Sequence, residues 1–380
     1  MKKYNVIMIT LDGARLENII KFPNFKNITK QSTFLSKVIT YAPYTVGAMF
    51  SIFSGSYGNR TGTDNYYGAF AFQKNKFMTL TKYLKDQGYY TFGDILSDIV
   101  VPLSDFDEIK VHDELKDDLT ERHSKLIEKA KSLQENNKPF FLYLHYSNIH
   151  TGLLLNVLKK YTNQSKEYFD NKEKNLKQYN SFIKNADDYL GTIFKKIISN
   201  NLIENTLVVI QSDHGCSIGD RIGERAYGSF CYDYTIRAFT IFHQPLIFPA
   251  TEITKLGRTI DTLPTILDTL KIPLNKKYSE IDGKSLWPLI NKEADERYAF
   301  IETGNPLESG QPPKSPNVRA IRTSKWKYIK NFWNDTEELY DLEKDPKESV
   351  NLINDKKVLA DELRLLLKIN MKKSKINKPL

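Results

Sequence analysis

The sequence predicts an α/β protein: a mostly parallel central sheet sandwiched by helices, followed by a small C-terminal antiparallel-sheet subdomain. Three observations carry this expectation. Short apolar runs at Val6–Leu11, Phe140–His145 and Leu207–Ile210 have the length and composition of buried strands. Helical patterns alternate with them, which implies a sheet covered on both faces. The texture then changes near residue 296, where antiparallel patterning replaces the alternation.

Taken in order, Val6–Leu11 ends in Asp12-Gly13, a strand and its following loop. Val46–Phe53 places Met49, Phe50, Ile52 and Phe53 at helical spacing and closes at Ser54-Gly55. Met78–Gln87 is a helix stopped by Gly88, and Tyr89–Phe92 is the next strand. Leu115–Glu135 is a charged amphipathic helix that feeds the strand Phe140–His145. A long helix, Lys172–Asn200, leads to the strand Leu207–Ile210. Beyond residue 296, Arg319–Lys330 and Glu338–Leu342 pattern as antiparallel strands and Val358–Ile369 as a closing helix. The expected division is residues 1–295 and 296–380.

Composition narrows the function classes. The chain has 380 residues, 40% hydrophobic and 12% aromatic, which suits a large packed core and argues against disorder. No apolar run approaches the roughly 18–20 residues of a membrane span. The basic start and the short run after it lack a signal-peptide core and a small-residue cleavage site, so a cytoplasmic protein is expected. Cys216 and Cys231 make no disulfide framework and are expected as reduced core thiols. The net charge of +9 is spread along the chain without aromatic interleaving, which argues against nucleic-acid binding and leaves anionic small molecules or saccharide esters as partners.

Polar residues cluster where strands end, the place where ligands bind such sheets. Asp12 follows the first strand, Asp213-His214-Gly215 follows the strand that begins at Leu207, and His150 lies just beyond Phe140–His145. A carboxylate at one strand end and an Asp-His pair at another suit an oxygen/nitrogen site for a divalent cation. Thr45 opens a helix, where the positive end of the helix dipole favours a developing alkoxide. Each residue also has a plain structural reading, since Asp and Thr are favoured helix N-caps.

Together these pieces resemble the alkaline phosphatase/sulfatase superfamily over nearly the whole chain. Val6 through Asp12 is similar to its first strand and metal-binding Asp, and Pro23-Asn24-Phe25 to the segment at the first helix. Thr45 through Gly62 resembles the nucleophile helix and its loop, and Phe140 through His150 the strand with an active-site His. Ser212-Asp213-His214-Gly215 matches the second metal motif. Asp261 through Leu267, Asp282 through Leu286, and Glu338 through Pro346 are similar to later sulfatase segments. The resemblance implies one divalent metal ion (Mn²⁺, Zn²⁺, Ca²⁺ or Mg²⁺) on Asp12, Asp213, His214 and Thr45. It also implies Thr45 as nucleophile and His150 as the acid for the leaving oxygen, and Arg221, Arg225 and Tyr227 are placed to hold a substrate oxygen.

The sequence departs from the sulfatase pattern in three places. Sulfatases carry Cys or Ser, oxidised to formylglycine, in a C/S-x-P-x-R motif; here the positions hold Thr45, Gly47 and Met49. The Gly-Lys-Trp-His segment is replaced in the region Tyr89 to Asp94, with neither Lys nor His there. The second Asp of the calcium site falls at Gly13. These departures shift the expected substrate from sulfur to phosphorus: a metal-dependent hydrolase, or transferase, of phosphate esters, with a Thr nucleophile as in the phosphodiesterase branches. The alternatives are a sulfuric ester hydrolase of the sulfatase type and an inactive glycan-binding member of the fold.

Overall fold

In the computed structural model, residues 3–157, 166–224, 226–294, 296–305 and 313–373 are described. Nine strands form the central sheet: β1 (Asn5–Leu11), β2 (Thr33–Ile39), β3 (Tyr90–Ile95), β4 (Glu108–Val111), β5 (Phe140–Tyr146), β6 (Thr206–Ser212), β7 (Arg237–His243), β8 (Thr251–Ile253) and β9 (Gly257–Arg258). Their order is β4-β3-β5-β1-β6-β7-β2-β8, with β9 also on β2. Only β7 runs against its neighbours β6 and β2. Its sequence, RAFTIFH, carries no signal of direction, and neither β2 nor β7 stood out in the sequence as a strand.

Strand alternation sorts the sheet's side chains into two cores. Ile7, Ile9 and Leu11 face one layer, built on the helices Leu119–Glu135 and Lys172–Ser199. Val6 and Met8 face the other, which holds Met49, Ile52 and Phe53 of the helix Thr45–Ser54. A second, four-stranded antiparallel sheet follows: β10 (Ala299–Thr303), β11 (Val318–Arg322), β12 (Trp326–Asn331) and β13 (Thr336–Asp341). The helix Lys357–Lys373 closes the described chain. The apolar face of this sheet shares one cluster with Tyr44, Val46 and Phe50 around the Thr45 helix.

Register fixes where the chemistry lies. Leu11 pairs with Tyr146 on one side and with Ser212 on the other. The next residues, Asp12, Ser147 and Asp213, therefore leave three adjacent strands at one level. No helix among the described residues is long and apolar enough to cross a membrane.

Candidate active site

The β1–β6 edge and the Thr45 helix meet in a buried polar knot. Gly13 and His214 donate their backbone N–H groups to Asp213 Oδ1, at 3.1 and 2.8 Å. These bonds fix the carboxylate and leave Oδ2 buried without a hydrogen-bond partner. Asp12 Oδ2 lies 3.2 Å from His145 Nε2 and 3.3 Å from the Thr45 hydroxyl, while its Oδ1 has no hydrogen-bond partner either. His214 Nδ1 donates to the Gly215 carbonyl at 2.6 Å. That bond sets the tautomer, so the Nε2 lone pair points inward, 3.4 Å from Asp213 Oδ2 and 3.7 Å from Asp12 Oδ1.

Two orphaned carboxylate oxygens and an imidazole lone pair converge, all fully buried, with donor atoms within 4.8 Å of one another. Buried polar atoms are normally satisfied, so such convergence calls for a cation. The donor set, two carboxylates and one imidazole, suits a divalent ion. The electrostatics agree. Burial pushes the Asp213 carboxyl above its usual range, opposed by His214 and reinforced by the Asp12 charge. For Asp12 burial again acts upward, but His150, His145 and His214 outweigh it and hold the carboxyl well below that range. Two like charges in one dry site are stable together only with positive charge between them.

Thr45 is the first residue of its helix; the N-cap position belongs to Tyr44, whose side chain makes no cap bond. The hydroxyl is therefore free of the capping role and lies 3.3 Å from both Asp12 Oδ2 and His214 Nε2. The two family positions that follow it are occupied for packing. A Cβ on Gly47 would meet Ala42 Cβ and the Tyr44 ring at 2.7 Å. Met49 is buried with its sulfur 3.9 Å from the Tyr143 hydroxyl.

His150 reaches the rim, 3.8 Å from Asp12 Oδ1, and its Nδ1 lies 3.0 Å from the Tyr227 hydroxyl. The Tyr227 ring also packs beside His214, with centroids 5.0 Å apart. Asp12, Thr45, His150, Asp213, His214 and Tyr227 thus come together. Arg221 does not join them: its guanidinium lies over the Tyr232 ring, 3.8 Å from the centroid, and donates to the Glu348 carbonyl. Arg225 lies outside the described residues. One residue of the knot was not assigned a role from sequence. His145 stands inside an apolar strand, and its only signal is that a polar side chain in a run of Phe, Leu and Tyr must have a buried partner; its Nδ1 is held by the Tyr143 hydroxyl at 2.8 Å.

A sulfatase family model matches residues 5–272. The chain belongs to the sulfatase family. A second model, described as the C-terminal part of N-sulphoglucosamine sulphohydrolase, matches residues 227–376. Curated relatives include a choline-sulfatase of Rhizobium meliloti, 29% identical over 52% of this chain and 37% of the relative. Another is a Δ4,5-hexuronate-2-O-sulfatase of Bacteroides thetaiotaomicron, 28% identical over 51% of this chain and 41% of the relative. The matched stretch thus spans less than half the length of these relatives. Among solved structures, a 2-O GAG sulfatase superposes with a TM-score of 0.79 at 20% identity, covering 98% of this chain and 93% of that one. A chain solved with its substrate D-glucosamine-2-N,6-O-disulfate gives 0.71 at 17% identity, covering 100% and 99%. These likenesses are to a shared fold.

Membership in the sulfatase family overturns the expectation of phosphate-ester chemistry. That expectation weighed missing side chains, and a missing Pro, Arg or Lys-His pair says which sulfate-holding groups are gone without supplying any that prefer phosphorus. The family points to sulfate esters.

Proposed function

We propose that this chain hydrolyses sulfate monoesters of a small alcohol or saccharide at a single divalent-metal centre, with Thr45 as the attacking hydroxyl. The observation that carries the reading is the Thr45 side chain, which faces Asp12 Oδ2 and His214 Nε2 at 3.3 Å instead of capping its helix. Asp12, Asp213 and His214 would hold the ion, which supplies Lewis acidity toward a sulfate oxygen and acidifies a nearby hydroxyl.

The chain's own groups cover the remaining steps. Thr45 Oγ1, oriented by its hydrogen bond to Asp12 Oδ2, attacks sulfur at the positive end of its helix and releases its proton to water. The bond from sulfur to the leaving oxygen breaks, and His150 protonates that oxygen while Tyr227 orients the ring. The product is the free alcohol and a threonine O-sulfate, which water cleaves to sulfate and the restored hydroxyl. Threonine carries a methyl on Cβ and cannot be oxidised to the family's aldehyde, so sulfate leaves by hydrolysis.

Sulfate release from p-nitrophenyl sulfate and from sulfated disaccharides, measured on purified protein with its metal content known, tests the reading. Turnover is expected, reduced by at least about a thousandfold in Thr45→Ala, with a threonine O-sulfate detectable by mass spectrometry after an acid quench. Fully metallated protein that binds sulfated sugars without releasing sulfate would instead be a binding member of the family. Wild-type turnover in Thr45→Ala would move the attack to water.

A further inference from the structure

The geometry points to a second metal site, of zinc type, held by Asp94, His112 and His123 at the carboxyl ends of β3 and β4. Ile95 pairs with Val111, so Asp94 near the end of β3 and His112 just after β4 lie side by side. The helix Leu119–Glu135 lays His123 across them. All three are buried, and one donor atom from each lies within 4.8 Å of the others. Asp94 Oδ1 is 2.5 Å from His112 Nδ1 and 3.7 Å from His123 Nε2.

Two features separate this cluster from an ordinary buried ion pair. First, the outward atom of every member is anchored. Arg122 holds Asp94 Oδ2 through Nε and Nη2 at 3.0 and 2.6 Å. Ser147 Oγ lies 2.8 Å from His112 Nε2, and the Tyr189 hydroxyl lies 2.7 Å from His123 Nδ1. His112 Nδ1–H donates to Asp94 Oδ1, and an ion entering the cluster displaces that proton. With Nδ1–H of His123 donated to Tyr189, the His123 Nε2 lone pair points inward. Outer partners that hold the ring in place are the usual companions of metal-bound imidazoles. Second, His123 Nε2 is buried, turned into the cluster, and without a hydrogen-bond partner. A buried nitrogen lone pair left open in this way is explained by an ion. Two imidazoles and one carboxylate match zinc in character and number, with a fourth position open to water. An ion about 2 Å from each donor requires His112 to move off Asp94 by only about an ångström.

Zinc titration of the full chain, read by elemental analysis and by the visible spectrum of the cobalt-substituted protein, tests the site. Asp213→Ala, which disables the Thr45 centre, is expected to retain a zinc equivalent and the intense visible bands of tetrahedral cobalt. His123→Leu and His112→Gln are expected to lose that equivalent while keeping the ion at Asp12. Two variants guard against one failing to fold. If Asp213→Ala binds no zinc, or His123→Leu and His112→Gln bind as much as wild type, the cluster is a hydrogen-bonded relay and the site does not exist.

Discussion

Asp213 is asked to do two opposed things. Its Oδ1 is pinned by two backbone N–H groups and its Oδ2 is pressed, unpartnered, toward the charge on Asp12. An Asn at 213 keeps the pinned acceptor and removes the repelled charge. Asp213→Asn is therefore expected to weaken divalent-ion binding at least about tenfold, seen by isothermal titration. The same variant is expected to melt at a higher temperature than wild type when both are measured in chelator. A lower Tm in chelator would mean that the charge is needed by the fold itself and not by an ion. Thr45 gives a companion case at the same scale. Because the cap position belongs to Tyr44, Thr45→Ala costs the helix less than about 1 kcal/mol, and any large loss of activity in that variant is chemical in origin.

Between β6 and β7 the chain makes the loop that carries Tyr227 to the site, and a buried acid braces this loop. Glu224 Oε1 accepts the Phe230 N–H at 3.0 Å and Oε2 bonds the Tyr234 hydroxyl. Burial pushes its pKa from 4.5 up to about 7, against the pull of Tyr234 and Phe230 and with a push from Asp220. The folded pKa is raised, so its contribution is fully present below the unfolded pKa of 4.5 and is lost as pH climbs through about 7. The corresponding cost at about pH 8 is roughly 3 kcal/mol. Glu224→Gln is expected to flatten the pH dependence of Tm across this window and to be the more stable form above it; parallel Tm profiles for the two proteins would refute this. Such a loop marks the limit of what the sequence discloses. Apolar runs declare β1, β5 and β6, and the residues that end them declare the Asp12 and Asp213-His214 pair, because period and length are local properties. The direction of β7, the aim of the Arg221 guanidinium at Tyr232 and the convergence of His145 on Asp12 depend on residues far away in the chain. The substrate class is hidden for a different reason: motif positions say which groups are absent and supply none that choose between sulfur and phosphorus.

At the scale of the whole molecule, the antiparallel sheet is tied to the site rather than appended to it. Phe300, Ile321, Tyr328 and Leu339 share a buried cluster with Tyr44, Val46 and Phe50, the residues that frame Thr45. Beside it lies an ion network. Lys327, fully buried on β12, sits 2.7 Å from Glu348 and also contacts Asp233 in the β6–β7 loop. Arg322 bonds Asp233 at 2.9 Å, and Glu348 accepts the Asp233 N–H at 2.8 Å. Replacing Lys327 by Met leaves Glu348 buried without its cation, a change that costs about 3–5 kcal/mol. A sheet that folded as an independent unit would confine this loss to its own transition. One that shares its core with the Thr45 helix would pass the loss to the entire chain. Calorimetry of the full chain is therefore expected to show a single transition across the boundary near residue 296, and Lys327→Met to lower that one Tm. Two resolved transitions, with only one moved by Lys327→Met, would make the C-terminal sheet a separate domain and leave the Thr45 helix to be held by the central sheet alone.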